Sequence, residues 1–487
     1  MSQAVRSQEP KVLWNHFADL NAVPRASKKE ERVIAFIKSF GESLNLETYV
    51  DHIGNVIIKK PATQGMEDRK TVVMQSHLDM VHQKNNDTVF DFETEGIKMF
   101  VDGDWIKAEG TTLGADNGIG VASIMTILSS TDIPHPPMEA LFTIDEETGM
   151  TGALELKGGL LDASIMLNLD TEDDDELTIG CAGGIDVTAL GSYNQEATPP
   201  DMKSFFVTIK GLSGGHSGMD IHKGLGNANK LMNRLLTQLS KELEIRIHWI
   251  DGGGLRNAIP RESVVAMAIS SADRPKLEEL VEQIGRELTN EYMTTDENFE
   301  VVLEPSDAMG QVLDFSFQRQ LLRAIYACPS GIYRMSPDVD DLVQTSNNLA
   351  RVLVKDGRYE ILNLTRSSVD TEKMDMAQAI KSTFELIGSE VEYSGSYPGW
   401  TPKPDAGIVK LMMDLYSEMF NEEAHVYACH AGLECGILGT NYPEMEMISF
   451  GPNIRGAHSP DERVQISSVQ KYWSFLLETL KRIPSKN

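Results

Sequence analysis

The first 185 residues alternate between two hydrophobic patterns. Apolar residues recur at helical spacing in 12–23 and 30–44, and 117–130 is apolar enough for a buried helix. Between these helices lie short apolar runs, several bounded by Gly, Asp or Asn, at 55–60, 71–80, 139–147 and 164–170. Continuous apolar strands with intervening helices are typical of an α/β layer around a largely covered central sheet.

A second pattern covers 186–398. Its first part contains strand-like runs at 204–218 and 262–271 and a strongly amphipathic helix at 274–292. A similar order of elements then recurs, as a helix at 315–328, a hairpin with an Asp-Gly turn at 347–367 and a helix at 375–390. The pattern predicts a separate α+β region made of two similar halves.

Residues 399–487 return to long helices, at 405–420 and 467–483, with short strand-like pieces between them. A segment of this length is short for an independent α/β domain. We therefore expect 1–185 and 399–487 to form one domain, into which 186–398 is inserted.

The composition limits the class of protein. The chain has 487 residues, 41% of them hydrophobic, which is enough for two or three domains with a substantial core. No apolar stretch approaches the roughly 20 residues of a membrane-spanning helix, and the first residues carry no apolar secretory-signal segment. The four cysteines are scattered without a CxxC pair, which favours reduced thiols in a cytoplasm.

The formal net charge of −29 makes nucleic acids and anionic membranes poor partners. The simplest interpretation of this charge is a solvated, self-repelling surface. Attraction of cationic substrates is the alternative, and acidity alone does not decide between them.

Histidines and carboxylates stand at the ends of several apolar runs. His77 and Asp79 close one run, and residues two apart on a strand share a face, so Asp79 could orient the imidazole of His77. Asp170 ends another run, and His458 lies in a loop after a third. The alternative for His77 is a structural histidine with no role in catalysis.

Asp116 lies in the glycine-rich segment "GTTLGADNGIG", just before the helix at 117–130. Asp or Asn commonly caps a helix, and glycines supply turn geometry, so a structural role is one interpretation. A phosphate-binding loop is disfavoured because the Walker spacing and its lysine are absent.

Glu146 and Glu147 stand side by side at the end of the apolar run 139–147. A surface turn gains nothing from two adjacent like charges. At adjacent extended positions the side chains diverge, so one carboxylate could face a metal ion while the other faces a water beside it. The spacing alone does not assign the two roles.

Together these residues predict a metal centre, because the ends of such strands meet at the edge of the sheet where α/β folds bind ligands. A mixed set of imidazole and carboxylate ligands suits Zn²⁺, Co²⁺ or Mn²⁺. Five ligands are too many for one catalytic zinc but suit two ions that share a carboxylate.

Nine motifs then make a resemblance specific. In chain order they are HLDMV, GTTLGADNGIG, DEETGM, NLDTE, GCAGGID, GGHSG, NAIPRE, HAGLECG and GAHSPDE. The chain resembles, nearly end to end, the co-catalytic zinc metallopeptidases related to aminoacylase and carboxypeptidase G. The resemblance implies a two-zinc exopeptidase-like catalytic domain with a mixed central sheet, formed by 1–185 and 399–487. It also implies that 186–398 is a lid domain.

The resemblance also implies roles for individual residues. Asp116 would bridge two metal ions, one held by His77 and Asp170 and the other by Glu147 and His458. Glu146 would be the general base that acts on a bridging water, and Asp79 would hold His77 in the correct tautomer. A cis peptide bond is expected between Asp116 and Asn117.

In the inserted region the resemblance implies that His216 stabilises the oxyanion, with Asn257 and Arg366 binding substrate. The backbone at Gly432 would lie near the substrate carboxylate. A turn histidine and a surface arginine are the structural alternatives for His216 and Arg366. Cys435 could suggest a thiol nucleophile, but no dyad supports it, so a packed thiol is favoured.

The function implied is metal-dependent hydrolysis of unblocked L-dipeptides, including Xaa-His dipeptides such as carnosine, in the cytoplasm. Two divalent ions per chain are implied, with zinc favoured and cobalt or manganese as substitutes. An aminoacylase or deacetylase with the same metal core is one alternative, and a non-catalytic peptide-binding relative is another.

Asp145 and the acidic run after Asp170 depart from the family pattern and leave substrate preference and metal affinity open. The choice between a monomer and a homodimer is also open.

Overall fold

The structure, a computed structural model, describes residues 3–85 and 87–486. The chain forms two compact units. The first comprises Met1–Gly180, Trp400–Ala428 and Leu433–Asn487, and the second comprises Cys181–Gly399 and Cys429–Gly432. The sequence had placed the boundaries at 185/186 and 398/399, and it assigned 429–432 to the first domain.

The first unit is built on a mixed sheet of eight strands. In order across the sheet they are Glu47–Val50, Val56–Lys60, Met138–Thr143, Val72–His77, Ile165–Asn168, Glu446–Ser449, Glu176–Cys181 and His425–Cys429. The four middle strands, Met138–Thr143 to Glu446–Ser449, run parallel, and the strands next to them are antiparallel. The mixed sheet confirms the predicted α/β class.

Helices cover this sheet, and a small second sheet adjoins it. The helices are Gln3–Arg6, Lys11–Leu20, Glu31–Ser43, Ala115–Ser129, Glu146–Gly149, Thr151–Glu155, Gly407–Phe420, Glu434–Asn441 and Ile466–Arg482. The small sheet has the order Ile454–Arg455, Arg463–Gln465, Trp105–Ala108 and Met99–Asp102. No helix among the described residues is both long and apolar enough to span a membrane.

The core of the first unit explains its sequence pattern. Every residue of Val72–His77 and Met138–Thr143 is buried, so these strands have no polar alternation. The helix Ala115–Ser129 is buried on nearly all sides, which accounts for its continuous apolar sequence. The ends of the middle strands are therefore fixed by packing on both faces.

The second unit contains an antiparallel sheet of nine strands. Eight follow in the order Glu300–Pro305, Met202–Lys210, Ser263–Ser270, Arg246–Gly253, Val343–Lys355, Arg358–Ser367, Gly183–Ser192 and Glu390–Tyr397, and Gly331–Met335 pairs with Val343–Lys355. Gln195–Ala197 and Gln311–Leu313 form a separate two-stranded sheet. The helices are Ala228–Glu242, Arg274–Tyr292, Phe315–Ala327 and Asp370–Glu385, with 3₁₀ turns at Ile221–Lys223 and Ser271–Asp273.

The two predicted halves are present in this sheet. Each half has two helices and four strands, and in each the strands have the spatial order fourth, first, third, second. The halves join where Arg246–Gly253 pairs with Val343–Lys355, the second strand of each half. The first strand of the later half, Gly183–Ser192, precedes the earlier half in the chain, which local sequence patterns could not reveal.

In the second unit, one predicted strand and one predicted helix end several residues before their expected ends. The strand expected over 204–218 stops at Lys210, because Gly211 and Gly214 have φ values of 78° and 65°, which interrupt a strand. The helix expected over 375–390 is Asp370–Glu385, followed by Gly388 with φ 81°.

Candidate active site

His77 is the last residue of the strand Val72–His77, and Asp79 lies beyond the strand. The strand expected over 71–80 is therefore shorter than expected. Beyond it, the N–H of Leu78 bonds the Thr143 carbonyl and that of Met80 bonds the Arg25 carbonyl. Asp79 Oδ1 lies 3.4 Å from His77 Nδ1, so the two side chains point the same way, as expected.

Asp116 stands between the two histidines. Its Oδ1 is 3.1 Å from His77 Nε2 and its Oδ2 is 3.2 Å from His458 Nε2. Asp170 Oδ1 lies 3.4 Å from the same His77 nitrogen, and Glu147 Oε2 lies 3.1 Å from the same His458 nitrogen. The five side chains thus form two groups of three that share Asp116, with the ligand atoms of each group within 4.8 Å of one another.

The loop around Asp116 has the backbone that the resemblance implied. The peptide bond between Asp116 and Asn117 is cis, and both residues depart from helical dihedral angles at the start of Ala115–Ser129. The Asn117 side-chain amide donates to Asp170. Asp116 therefore does not cap this helix in the ordinary way, and its carboxylate remains directed at the histidines.

Glu146 and Glu147 begin a short helix, Glu146–Gly149, and the strand before them ends at Thr143. The expectation of adjacent extended positions, with side chains that diverge for that reason, is wrong. Asp145 starts the helix with a φ of 55° and accepts hydrogen bonds from Lys28, which the sequence did not suggest. Glu146, Glu147 and His77 also have ligand atoms within 4.8 Å, so proximity alone does not separate the roles of the two glutamates.

Asp79 also makes hydrogen bonds that the sequence did not reveal. Its Oδ1 accepts the N–H of Glu146 at 3.0 Å, and its Oδ2 accepts the N–H of Glu147 at 3.3 Å. Ser27 Oγ donates to the same carboxylate at 2.7 Å. One buried carboxylate thus contacts both the His77 ring and the backbone of the glutamate pair, which indicates a supporting position behind the ligands.

Three further buried ionisable residues adjoin the site and were missed, because their partners are far apart in sequence. Glu434 accepts hydrogen bonds from Gln75 and Thr143, both at 2.6 Å. Glu462 accepts backbone N–H groups of the Asp116 loop, and Arg25 donates to the backbone carbonyls of Leu78 and Gly114. The motifs HAGLECG and GAHSPDE contained Glu434 and Glu462 but gave no reason to single them out.

The electrostatics of this cluster favour a cation. Burial raises the pKa of Glu146 and Glu147, and neighbouring carboxylates raise the pKa of Glu146 further. Hydrogen bonds to Asp116 and Glu147 raise the pKa of His458 to about 11. Burial lowers the pKa of His77, but Asp170 and Asp116 outweigh it and hold that pKa well above its usual value.

All four of these pKa values are raised, so each group retains a proton more readily than usual, and this bears on what the residues could hold. Carboxylates crowded around two imidazoles are stabilised by added positive charge, and a bound divalent ion would supply it in place of protons. Two imidazole nitrogens and three carboxylates form the mixed N and O donor set that zinc, cobalt or manganese accepts. The residues therefore fit a pair of divalent ions.

The predicted substrate residues of the second unit lie close together. The backbone carbonyl of Asn257 accepts the N–H of Ser217, the residue after His216, at 2.8 Å. A Cβ on Gly218 would lie 3.2 Å from Arg366 Nε, which places Arg366 beside the same loop. Arg366 is 5% exposed and donates to Tyr397 Oη at 2.8 Å, so the surface alternative for it is wrong.

The tautomer of His216 follows from its contacts. Its Nδ1 accepts the backbone N–H groups of Gly218 and Met219, at 3.2 and 3.0 Å. Burial and then the charge of Arg366 lower the pKa of this imidazole. The neutral ring must therefore carry its proton on Nε2, which makes that nitrogen a hydrogen-bond donor.

Gly432 and Cys435 both belong to the HAGLECG motif. Gly432 is half-buried in the loop between His425–Cys429 and Glu434–Asn441. Cys435 is 0% exposed, in agreement with a packed thiol.

The chain is similar to known proteins along its whole length. A model of the peptidase family M20/M25/M40 matches residues 73–482. The cytosol non-specific dipeptidase of Escherichia coli is 43% identical over 477 residues, which is 98% of each chain. The structure of aminoacylhistidine dipeptidase from Vibrio alginolyticus superposes with a TM-score of 0.94 at 41% identity, covering 100% of this chain and 99% of that one.

A more distant structure shares the fold alone. It is the aminopeptidase PepT from Bacillus cereus, with a TM-score of 0.57 at 15% identity, covering 98% of this chain and 99% of that one. The nine sequence motifs resemble, within their family, the bacterial cytosolic non-specific dipeptidase, also called aminoacyl-histidine dipeptidase or peptidase D. The two close relatives confirm that resemblance.

Proposed function

We propose that this chain, which belongs to the peptidase family M20/M25/M40, is a dipeptidase that hydrolyses the single peptide bond of unblocked L-dipeptides with the help of divalent metal ions. One observation carries the proposal. Two histidines and three carboxylates form two groups that share Asp116, in a chain whose close relatives are named dipeptidases.

The five side chains are the proposed ligands of two metal ions. His77 and Asp170 would hold one ion and Glu147 and His458 the other, with one oxygen of Asp116 for each. The contacts of Asp116 Oδ1 with His77 and of Oδ2 with His458 support this division. Two such ions, when bound, polarise a carbonyl and lower the pKa of a water molecule.

Glu146 would be the general base. Burial and nearby carboxylates raise its pKa, which makes it a better proton acceptor than an exposed glutamate once it is ionised. It would remove the proton from the attacking water and later deliver a proton to the leaving amine. Asp79 would keep the His77 proton on Nδ1, so that Nε2 faces the metal.

The second unit would supply the substrate contacts. His216 would donate from Nε2 to the oxyanion, which the tautomer imposed by Gly218 and Met219 supports. Arg366 would bind the free carboxylate, because a guanidinium pairs with it through two hydrogen bonds. Asn257 and the backbone at Gly432 would complete the binding site.

The identity of the metal, the location in the cell and one class of dipeptide substrate are also part of the proposal. We propose zinc as the metal, with cobalt or manganese as substitutes, and a cytoplasmic location, since the Escherichia coli relative is named a cytosol dipeptidase. We also propose Xaa-His dipeptides among the substrates, because the Vibrio relative is named an aminoacylhistidine dipeptidase.

The test is a substrate panel assayed after chelation and after addition of single metals. Free dipeptides should be cleaved only with metal restored, and C-terminally amidated dipeptides should be cleaved poorly. Arg366→Ala should raise KM about 10- to 100-fold for free dipeptides only, which corresponds to the roughly 1.5–3 kcal/mol of a hydrogen bond to a charged group. Preferred cleavage of N-acetyl amino acids would instead indicate an aminoacylase.

A further inference from the structure

Arg25 is a buried cation that contacts backbone rather than a carboxylate. It is 1% exposed, and its guanidinium donates to the carbonyl oxygens of Leu78 and Asp79, both at 3.1 Å, and to that of Gly114. It also donates to Asn21 Oδ1 at 3.0 Å. One side chain thus joins the loop after His77 to the loop before Asp116.

Two glycines leave room for this guanidinium. A Cβ on Gly114 would lie 2.4 Å from Arg25 Nη2, and one on Gly118 would lie 2.7 Å from the same atom. Gly114 also has a φ of 70°, which glycine adopts readily. The close approach of Arg25 to the backbone therefore explains glycine at these two positions of the motif.

The Glu462 carboxylate accepts hydrogen bonds from four backbone N–H groups of the loop that contains Asp116. Its Oε2 accepts from Leu113 at 2.7 Å and Gly114 at 2.9 Å, and its Oε1 accepts from Ala115 at 2.7 Å and Asp116 at 3.3 Å. This carboxylate is 2% exposed. All four donors belong to consecutive residues, so the carboxylate fixes the path of the chain into Asp116.

Two consecutive turns that share Ser459 join His458 to Glu462. The N–H of Ser459 bonds the Gly456 carbonyl at 3.2 Å, and the N–H of Glu462 bonds the Ser459 carbonyl at 3.1 Å. His458 lies within the first of these turns and has a φ of 63°. Movement of Glu462 would therefore displace His458 relative to Asp116.

Burying the Arg25 guanidinium lowers the stability of the fold unless its hydrogen bonds offset the loss of hydration. Among residues 3–85 and 87–486, no carboxylate forms an ion pair with Arg25, and the charges of Glu462 and Asp79 act on it only from beyond ion-pair distance. Burying a charge without a close ionic partner lowers stability unless hydrogen bonds offset the desolvation. An apolar side chain could fill the same space, but it could not hold three carbonyl oxygens at fixed positions.

We propose that Arg25 and Glu462 are positioning residues that set the spacing of the three loops carrying His77, Asp116 and His458. Arg25 fixes the first loop against the second, and Glu462 fixes the second against the third. The proposal rests on the proposed metal-binding function. Loss of a group that orients metal ligands typically lowers metal affinity about 10- to 100-fold, and we expect that loss here.

The test measures metal binding directly and needs no turnover. Zn²⁺ is titrated calorimetrically into the chelator-treated full-length chain, and the absorption spectrum of the Co²⁺-loaded protein reports the coordination geometry. The variants are Glu462→Gln, which keeps the shape but cannot accept four N–H groups, and Arg25→Lys, which keeps the charge without the fork. Thermal melting of the metal-free proteins records folding.

The first unit offers matched controls. Glu139 is a buried glutamate that accepts the backbone N–H groups of Asp162 and Ala163, so Glu139→Gln repeats the chemical change elsewhere. Arg69 donates to the Ile483 carbonyl at 2.9 Å, so Arg69→Lys matches Arg25→Lys.

We expect Glu462→Gln and Arg25→Lys to lose at least tenfold in Zn²⁺ affinity and to change the Co²⁺ spectrum, while the controls keep both. Wild-type affinity and spectrum in Glu462→Gln or Arg25→Lys would overturn the proposal, as would an equal loss in the controls.

If the parent protein binds no metal, the proposed function fails first. If the parent binds metal and cleaves dipeptides but the variants match it, only the positioning role fails. Should Arg25→Lys not fold, Glu462→Gln decides alone.

Discussion

Glu146 and Glu147 show how the surroundings of a side chain can separate two chemically identical groups. Burial raises the pKa of both carboxyl groups. Glu147 contacts His458 at 3.1 Å, whereas the charges of Asp170 and Glu434 raise the pKa of Glu146 further. Asp79 accepts the backbone N–H groups of both. The proposed difference in role therefore depends on the different side-chain partners of the two carboxylates.

The first prediction concerns this pair. Glu146→Ala should keep both metal ions and lower kcat by about 10²- to 10⁴-fold, the usual contribution of a general base. Steady-state kinetics and metal analysis of the purified protein measure the two effects. Glu147→Ala is the control and should lose metal. If Glu146→Ala loses metal while Glu147→Ala keeps it, the two roles are exchanged.

The second prediction concerns His430, whose Nε2 contacts Ser346 Oγ at 2.7 Å. Burial, and then the charge of Arg366, lower its pKa to about 3 from 6.5. Above pH 6.5 the imidazole is neutral in the folded and unfolded chain alike. Between pH 6.5 and 3 the unfolded chain binds a proton that the folded chain does not, so stability falls with falling pH.

The size of this effect can be measured against a variant without the imidazole. By pH 5 the proton on the unfolded chain should lower the free energy of unfolding by about 2 kcal/mol, at roughly 1.4 kcal/mol per pH unit. Urea unfolding of the parent and of His430→Gln between pH 7 and 5 isolates it, because other groups titrate in both. Parallel curves for the two proteins would show that His430 takes up its proton normally.

At the scale of single elements, most helix and strand positions follow from local sequence, and two of the described α-helices begin at a side-chain cap. The helix Phe315–Ala327 begins where Asp314 accepts the N–H of Phe317 at 2.9 Å. The helix Ala228–Glu242 begins in the same way, at Asn227. Such caps satisfy N–H groups that have no partner within the helix.

The third prediction tests one cap. Asp314→Ala should lower the free energy of unfolding by about 1 kcal/mol, because the first turn loses its side-chain acceptor. Asp314→Asn keeps an acceptor oxygen and should lose much less. Urea unfolding of both variants at one pH makes the comparison, and equal losses would assign the effect to charge rather than to capping.

At the scale of the whole molecule, each unit has its own hydrophobic core, and the five proposed metal ligands all lie in the first. A ligand that binds only the folded state adds to the stability of the part that binds it, by about 2.7 kcal/mol at 100 times its dissociation constant. Metal removal should therefore affect the two units unequally.

The fourth prediction follows from this difference. Chelation should increase amide hydrogen exchange in Val72–His77, whereas Ser263–Ser270 in the second unit should change little. Mass spectrometry of exchanged peptides, with and without added Zn²⁺, measures both strands in one sample. An equal increase in the two strands would contradict a metal centre confined to the first unit.

Local patterns were sufficient for much of the fold. Arg274–Tyr292 has the predicted bounds, and the helix expected over 315–328 ends one residue early, because apolar stripes and caps act within a few turns. The central strands were visible because both faces are buried. The ends of the strands were less predictable. One strand ends before Gly211 because of the φ value of this residue, which the hydrophobic pattern does not reveal.

The sequence by itself determined the class of fold, the order of the motifs and the side chains available for a metal centre, because these depend on residue type and spacing. Only the tertiary structure decided that Asp79 holds the backbone of the glutamate pair, and that Arg25 and Glu462 join the ligand loops. Glu462 meets residues almost 350 positions earlier in the chain. Such contacts exist only after the sheet has brought its strand ends together, so no local pattern encodes them.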